Sequence, residues 1–265
     1  MSGKLLQDKV AVITGGTSAM GMGIAEVFLE KGAKVILGDL DQTKLDHTKD
    51  VLNQTGDEIN VAAIKLDLTS AESIREFLDK AGAAFGKLDI LVNNAGVCIG
   101  NSMFDIPQET FDLTFNVNVR GLFEISRQFA KKNIAGNRPA NIVNLASNAA
   151  KVCFEGMADY NASKAAVVNL TQSMAKELAK FNINVNAVCP GAVDTDMLRQ
   201  CMLDAVKASN GTVTLEDCRK TWGPPQLGRL IQPHEVGRVV SFLASDEALI
   251  IRGQAISIDG GNTPY

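Results

Sequence analysis

At 265 residues the chain is long enough for one large α/β domain, or two small ones, with a sizeable buried core. Its 46% hydrophobic and 21% charged residues are ordinary globular composition, which excludes an extended disordered protein. A formal net charge of -4 leaves no basic field to attract nucleic acid, and no apolar run approaches the roughly 18 residues needed to span a bilayer.

Taken in chain order, short β-branched runs alternate with helical patterns, the sign of a parallel sheet with crossover helices. Val10 to Thr14 reads as a first buried strand, and Gly21 to Lys31 as a helix behind a glycine-rich turn. Lys34 to Asp39 is a second strand, with a polar helix following from about Thr43 to Gln54. Asn60 to Asp67 is a third strand, and Ser70 to Phe85 carries apolar positions at helical spacing. Asp89 to Asn93 is a fourth strand, and Pro107 to Lys132 covers one long helix or two consecutive ones. Asn141 to Ser147, a long helix from Asp159 to Phe181, and a sixth strand from Asn184 to Cys189 follow. After Pro190-Gly191 the rhythm breaks, and residues Ala192 to Leu230 mix short helical stretches with Trp222-Gly223-Pro224-Pro225. A connection that long inside a compact domain is usually a functional lid, with a rigid insertion for subunit contact as the alternative. A helix from about His234 to Ala244 and a strand from Ala255 to Asp259 close the chain. No repeat or linker divides it, so residues 1–265 read as one α/β domain: a doubly wound parallel sheet of about seven strands with helices on both faces.

Five cysteines, Cys98, Cys153, Cys189, Cys201 and Cys218, form an odd set with no Cys-x-x-Cys spacing. They read as free thiols in a reducing compartment, not as a disulfide framework or zinc site. The two histidines, His47 and His234, have no partners at metal-ligand spacing, so no metal is expected and a Ser-His-Asp hydrolase is disfavoured. Met1 to Lys9 lacks the apolar core of a signal peptide, and the cytosol is the expected address.

The first strand runs into Thr14-Gly15-Gly16-Thr17-Ser18-Ala19-Met20-Gly21-Met22-Gly23 and then a helix. Glycines there let the backbone turn sharply and approach a pyrophosphate, while the helix N-terminus offers unpaired N–H groups and a positive dipole end. Asp39 ends the second strand, where a dinucleotide fold places a carboxylate on the adenosine ribose hydroxyls, and where it would repel a 2′-phosphate. No arginine or lysine stands at residues 38 to 43, so NAD is expected over NADP; a loop-capping aspartate is the plainer alternative.

The Thr14-Gly15 turn, Asn93-Asn94-Ala95-Gly96, Asn118, Ser147 and Tyr160-x-x-x-Lys164 occur in that order, followed by Pro190-Gly191 and Asp259-Gly260-Gly261. This set resembles the short-chain dehydrogenase/reductase family over residues 7 to 262. Ala19 stands where the family's turn usually has its middle glycine, which puts the fine position of the loop in question. The resemblance implies a Rossmann fold and a catalytic set of Asn118, Ser147, Tyr160 and Lys164. It implies cofactor contacts from Gly15, Thr17, Ser18, Met20 and Gly21, from Asp39 and Leu40, and from Asp67 and Leu68. Asn94, Ala95 and Gly96 join them, with Tyr160, Lys164, Pro190, Gly191, Val193 and Thr195.

Tyr160 and Lys164 are four apart on a helix and project from one face. A tyrosine pKa near 10 is too high for proton shuttling at neutral pH, and the lysine ammonium, helped by the positive nicotinamide of the oxidised cofactor, is expected to lower it. By resemblance, Tyr160 is the general base in alcohol oxidation and the acid in carbonyl reduction, Ser147 holds the substrate oxygen, and Asn118 completes a water-mediated relay to Lys164. Read alone, Ser147 is equally a strand-end cap, Asn118 a buried helix amide and Thr195 an ordinary loop residue.

Substrate-facing candidates are Ser147, Asn148, Lys151, Phe154, Tyr160, Arg199 and Trp222, with Cys98 to Asn101 nearby. Amides and charges suit a polyhydroxylated substrate, and Lys151 and Arg199 suit an anionic tail, although either is equally a solvated charge. The leading expectation is an NAD-dependent enzyme acting on a small-molecule sugar or polyol; a 3-oxoacyl-carrier-protein or hydroxysteroid reductase is the alternative. An inactive NAD-sensing regulator on the same fold is the rival of another class. The resemblance also implies a homotetramer.

Overall fold

A computed structural model describes residues 4–54, 60–100, 102–209 and 211–263. Seven strands form one sheet: β1 (Val10–Thr14), β2 (Lys34–Asp39), β3 (Val61–Lys65), β4 (Ile90–Asn93), β5 (Ala140–Leu145), β6 (Ile183–Pro190) and β7 (Ala255–Ile258). Their order is β3-β2-β1-β4-β5-β6-β7, and every pairing is parallel. The chain winds outward from β1 to β3, then crosses back to place β4 on the other side of β1. That reversal opens a crevice at the carboxyl ends of β1 and β4, the usual ligand position in such sheets.

Because side chains alternate along a strand, the sheet feeds two separate cores. On one face Ile13, Val35, Leu37 and Val92 pack with Ile24 and Phe28 of α1 (Ala19–Glu30), Leu45 of α2 (Gln42–Asn53) and Val240 of α9 (Pro233–Leu243). On the other, Val12, Ile36, Leu91 and Ile142 pack with Phe77 of α3 (Ala71–Phe85), Phe129 of α5 (Leu122–Ala135) and Val167 of α6 (Ala158–Leu178). Phe77 and Phe129 are fully buried, and truncating either to alanine should cost about 3–5 kcal/mol. Gly23 and Gly237 bring α1 and α9 into close contact: a Cβ on Gly23 would lie 2.6 Å from the Pro233 Cβ.

The helical run after the fourth strand is continuous. α4 (Gln108–Phe115) passes through a π-helical turn, Asn116–Gly121, into α5. The segment after β6 is more regular than the sequence suggests, because two threonines start helices in it. Thr195 caps α7 (Asp196–Ala208) by accepting from the Leu198 N–H, and Thr214 caps α8 (Leu215–Trp222) in a reciprocal box with Asp217. Asp259 accepts from the Gly261 and Thr263 N–H groups, tying the segment after β7 against Gly191. Among the described residues, no helix is long and apolar enough to cross a membrane, and no three His, Cys, Asp or Glu side chains gather as a metal site.

Candidate active site

The carboxyl ends of the central strands open into one cleft of about 2160 Å³. Ordinary small-molecule sites are roughly 300–1,000 Å³, so this cleft has room for two ligands end to end.

Its first end is shaped by backbone. Gly15 sits at φ +64, and an added Cβ would lie 2.8 Å from the Ala95 Cα. Gly15, Thr17, Ser18, Ala19 and Met20 line the cleft where α1 begins, with no acidic residue in its first turn to oppose an anion. Ala19 is an ordinary helical residue here, so the turn accommodates its methyl group. Gly21 is buried behind the turn, where a Cβ would collide with the Gly15 carbonyl oxygen, so glycine is required for the turn to close. Asn94 braces the same turn, donating to the Thr14 and Gly15 carbonyls at 2.9 and 3.0 Å.

Asp39 is held on both oxygens. Oδ2 accepts from the Thr17 N–H at 3.1 Å and its hydroxyl at 2.6 Å, and Oδ1 accepts from the Leu40 N–H at 2.8 Å. Leu40, Asp67 and Leu68 continue this wall, and Asp67 accepts from the Thr69 N–H and hydroxyl. Sequence reasoning missed Lys44, which the start of α2 carries into the cleft just outside the stretch searched for a cation. Gly96 leaves a hollow that a Cβ would fill, 3.2 Å from Asn118 Oδ1 and 3.4 Å from Lys164 Nζ. A glycine turn, a helix N-terminus, a fixed carboxylate and this hollow fit a dinucleotide lying across the sheet edge.

The middle of the cleft brings Ser147, Tyr160 and Lys164 together. The strand-end cap and the site residue are the same Ser147: its Oγ accepts from the Ala149 N–H at 3.1 Å and donates to Asn148 Oδ1 at 3.3 Å, while lining the cleft. Lys164 donates to the Leu145 carbonyl at 2.8 Å, and its Nζ lies 5.6 Å from the Tyr160 ring centre. Burial lowers the Lys164 ammonium to about 8, and the Cys98 and Cys189 thiols oppose that change. The Tyr160 phenol is raised above its ordinary value, chiefly by burial and also by Cys98, against the hydrogen bond from Ser147. The expected lowering of the phenol invokes the lysine together with the positive nicotinamide of a bound oxidised cofactor, and so belongs to the loaded cleft. Asn118 stands in the wall behind the cleft, within the π turn, pairing with the Val97 N–H and carbonyl at 2.8 and 2.9 Å and with Ser163 Oγ at 3.1 Å. Asn93 lies deeper still, bridging Ser126 and Asn144 across the sheet.

Beyond Tyr160 the lining changes to side chains. Pro190, Gly191, Val193 and Thr195 lead out from β6, with Thr195 serving as both cleft wall and helix cap. Asn148, Phe154, Met157 and Trp222 face the space, as do Met103 and Phe104, which the sequence reading did not single out. Lys151 lines the cleft, but its ammonium donates to Ser257 Oγ at 2.9 Å. Arg199 does not line it: α7 turns Met197, Leu198, Cys201, Asp204 and Ala205 inward, and residue 199 falls on the exposed opposite side. The proposed anion-binding role of Arg199 is thereby withdrawn. Glu155, Asp196 and Asp204 put carboxylates on this end. Asn101 lies outside the described residues.

A seven-stranded parallel sheet with a nucleotide-shaped crevice and a Ser-Tyr-Lys floor defines a Rossmann-type oxidoreductase. A family model described as enoyl-(acyl carrier protein) reductase matches residues 15–263, and the chain belongs to the short-chain dehydrogenase/reductase family. It is 37% identical to an NAD-dependent glycerol dehydrogenase of Listeria innocua, covering 97% of this chain and 95% of that one. It is 35% identical to a 3-oxoacyl-[acyl-carrier-protein] reductase of Thermotoga maritima, covering 97% and 98%. The crystal structure of a variant actinorhodin polyketide ketoreductase with NADPH superposes with a TM-score of 0.91 at 30% identity, covering 97% and 98%. The protein is an oxidoreductase acting on CH–OH or keto groups.

Proposed function

We propose that the enzyme interconverts a neutral, hydroxylated secondary alcohol, such as a small polyol or sugar, and its ketone, using NAD(H). The observation that carries this reading is the convergence of Ser147, Tyr160 and Lys164 between a fixed Asp39 at one end and carboxylates at the other. A bound nicotinamide would supply or accept the hydride. In the reducing direction Tyr160 gives its phenolic proton to the carbonyl oxygen. Ser147 holds the same oxygen, and Lys164, four residues on from Tyr160 on the same helix, would hold the ribose hydroxyls of a bound nucleotide. Asn118 acts from behind by fixing Val97 and Ser163.

NAD is favoured over NADP because Asp39 occupies the position a 2′-phosphate would approach, and its carboxylate is immobilised by Thr17 and Leu40. The relative described as an NAD-dependent glycerol dehydrogenase agrees with both cofactor and substrate class. At the substrate end Glu155, Asp196 and Asp204 can accept from hydroxyl groups and would repel an anionic tail. A carrier-protein-linked oxoacyl chain is the second reading, favoured by the apolar wall of Met103, Phe104, Leu113 and Val117. An NADH-absorbance screen against polyols, sugars, hydroxy-ketones, steroids and acyl thioesters separates the two. Turnover confined to acyl thioesters would overturn the polyol reading.

The homotetramer expected from the sequence is supported by two separated apolar patches. Phe111, Leu113 and Phe123 are exposed along α4 and α5, Phe242 is exposed on α9, and Leu249 and Ile250 are exposed after it. Two different patches, each pairing with its copy about a two-fold axis, would build a closed tetramer. Light scattering at micromolar concentration tests it, and a monomer would refute it. The free cysteines accord with a cytoplasmic address.

A further inference from the structure

Cys98 and Cys201 are 103 positions apart in sequence, yet their sulfurs meet at 3.9 Å. Cys98 follows β4 on one wall of the cleft, and Cys201 sits on the inward stripe of α7 on the other. Met157 Sδ lies 4.0 Å from the Cys98 sulfur, so the contact is enclosed by apolar sulfur and is separate from the hydrogen bonds that shape the floor. We propose that these two thiols form a reversible disulfide that fastens α7 across the cleft and switches the enzyme off under oxidising conditions. The inference does not depend on which alcohol is the substrate.

The sulfurs must close from 3.9 Å to the roughly 2 Å of a disulfide, a movement of about 2 Å. The pair is also chemically unequal: the Cys98 hydrogen bond lowers the Cys201 thiol, while that contact and burial raise Cys98. Either sulfur can attack first and the bridge is the same; with Cys201 attacking, Cys98 resolves. With hydrogen peroxide as oxidant, the Cys201 thiolate attacks one peroxide oxygen, the O–O bond breaks, and hydroxide leaves to become water. Cys201 is then a sulfenic acid. The Cys98 sulfur attacks that sulfur, the S–O bond breaks, and a second water leaves with the Cys98 proton. Two thiols lose two electrons in total, and one peroxide becomes two waters. The bridge would cross the cleft lining beside Tyr160, tying α7 to the loop after β4 so that neither can adjust to an incoming substrate. A thiol reductant reverses it by exchange.

The test uses the full-length protein, reduced, freed of thiol and exposed to hydrogen peroxide. Unreduced tryptic digests are read by mass spectrometry for the peptide Leu88–Arg120 joined to Gln200–Lys207, each of which carries one cysteine. The linked pair should be two hydrogens lighter than the sum of its parts and should accumulate as activity falls about tenfold or more; dithiothreitol should reverse both. Cys98→Ser and Cys201→Ser, each scored against its own reduced activity, should resist the oxidant, whereas Cys153→Ser at the exposed thiol should remain as sensitive as wild type. Loss of activity without the linked peptide, or a linked peptide with activity intact, overturns the switch. Should either serine variant fold poorly, the timing of linkage against activity in the wild-type protein decides the matter alone.

Discussion

Below β1 and β2 the cleft presents backbone and small residues, each held by several neighbours: Gly15 against Ala95, Asn94 on two carbonyls, Asp39 on three donors. Under α7 and α8 it presents long side chains carried on two helices in a connection between β6 and α9, with Met197, Leu198 and Trp222 among them. The first end can hold a nucleotide by shape and fixed dipoles, which leaves little freedom for its sequence. The second can exchange side chains without disturbing the sheet, so it is where specificity can vary while the chemistry stays at Tyr160. The two ends should accordingly respond to substitution in different ways.

The largest effect is expected where they meet. Tyr160→Phe removes one oxygen and little volume, so turnover should fall about 10³–10⁴-fold while the NADH dissociation constant stays within about threefold, read by NADH fluorescence. At the nucleotide end, Asp39→Ala combined with Leu40→Arg should shift the NADPH-to-NADH ratio of kcat/KM by about 100-fold, since it removes a repulsion and adds a cation. At the substrate end, Trp222→Ala should raise KM about three- to tenfold and leave NADH binding unchanged. A large loss of NADH affinity in that variant would break the division between the ends.

The smallest effect is thermodynamic and concerns Lys164. Its folded pKa of about 8 lies below its ordinary value of 10.5, so between those values the unfolded chain binds more protons. Wild-type stability should therefore gain from this group as pH rises through that window, and lose it as pH falls. Lys164→Met abolishes that dependence: its Tm relative to wild type should be most favourable near pH 7 and should decline toward pH 10. A Tm difference independent of pH would contradict the buried-ammonium picture.

The elements that repeat a physical rule were readable in the sequence. Strands and helices alternate where predicted because apolar period and glycine turns set them locally, and the Thr14–Gly21 turn, Asp39, Ser147, Tyr160 and Lys164 all converge on one edge of the sheet. What was not readable depends on phase or on long-range contact. Arg199 points away because Thr195 starts α7 and fixes its rotation, which no local composition reveals. Lys44 enters the cleft through the turn capped by Asp41. The π turn holding Asn118 has no sequence signature.

The most direct test of the account is a two-by-two comparison of kcat/KM: NADH against NADPH, each with a neutral hydroxy-ketone and with the same molecule carrying a carboxylate. A fixed Asp39 at one end and Glu155, Asp196 and Asp204 at the other predict that NADH and the neutral ketone win, each by about tenfold or more. Equal or better turnover with NADPH, or with the carboxylated ketone, would contradict it.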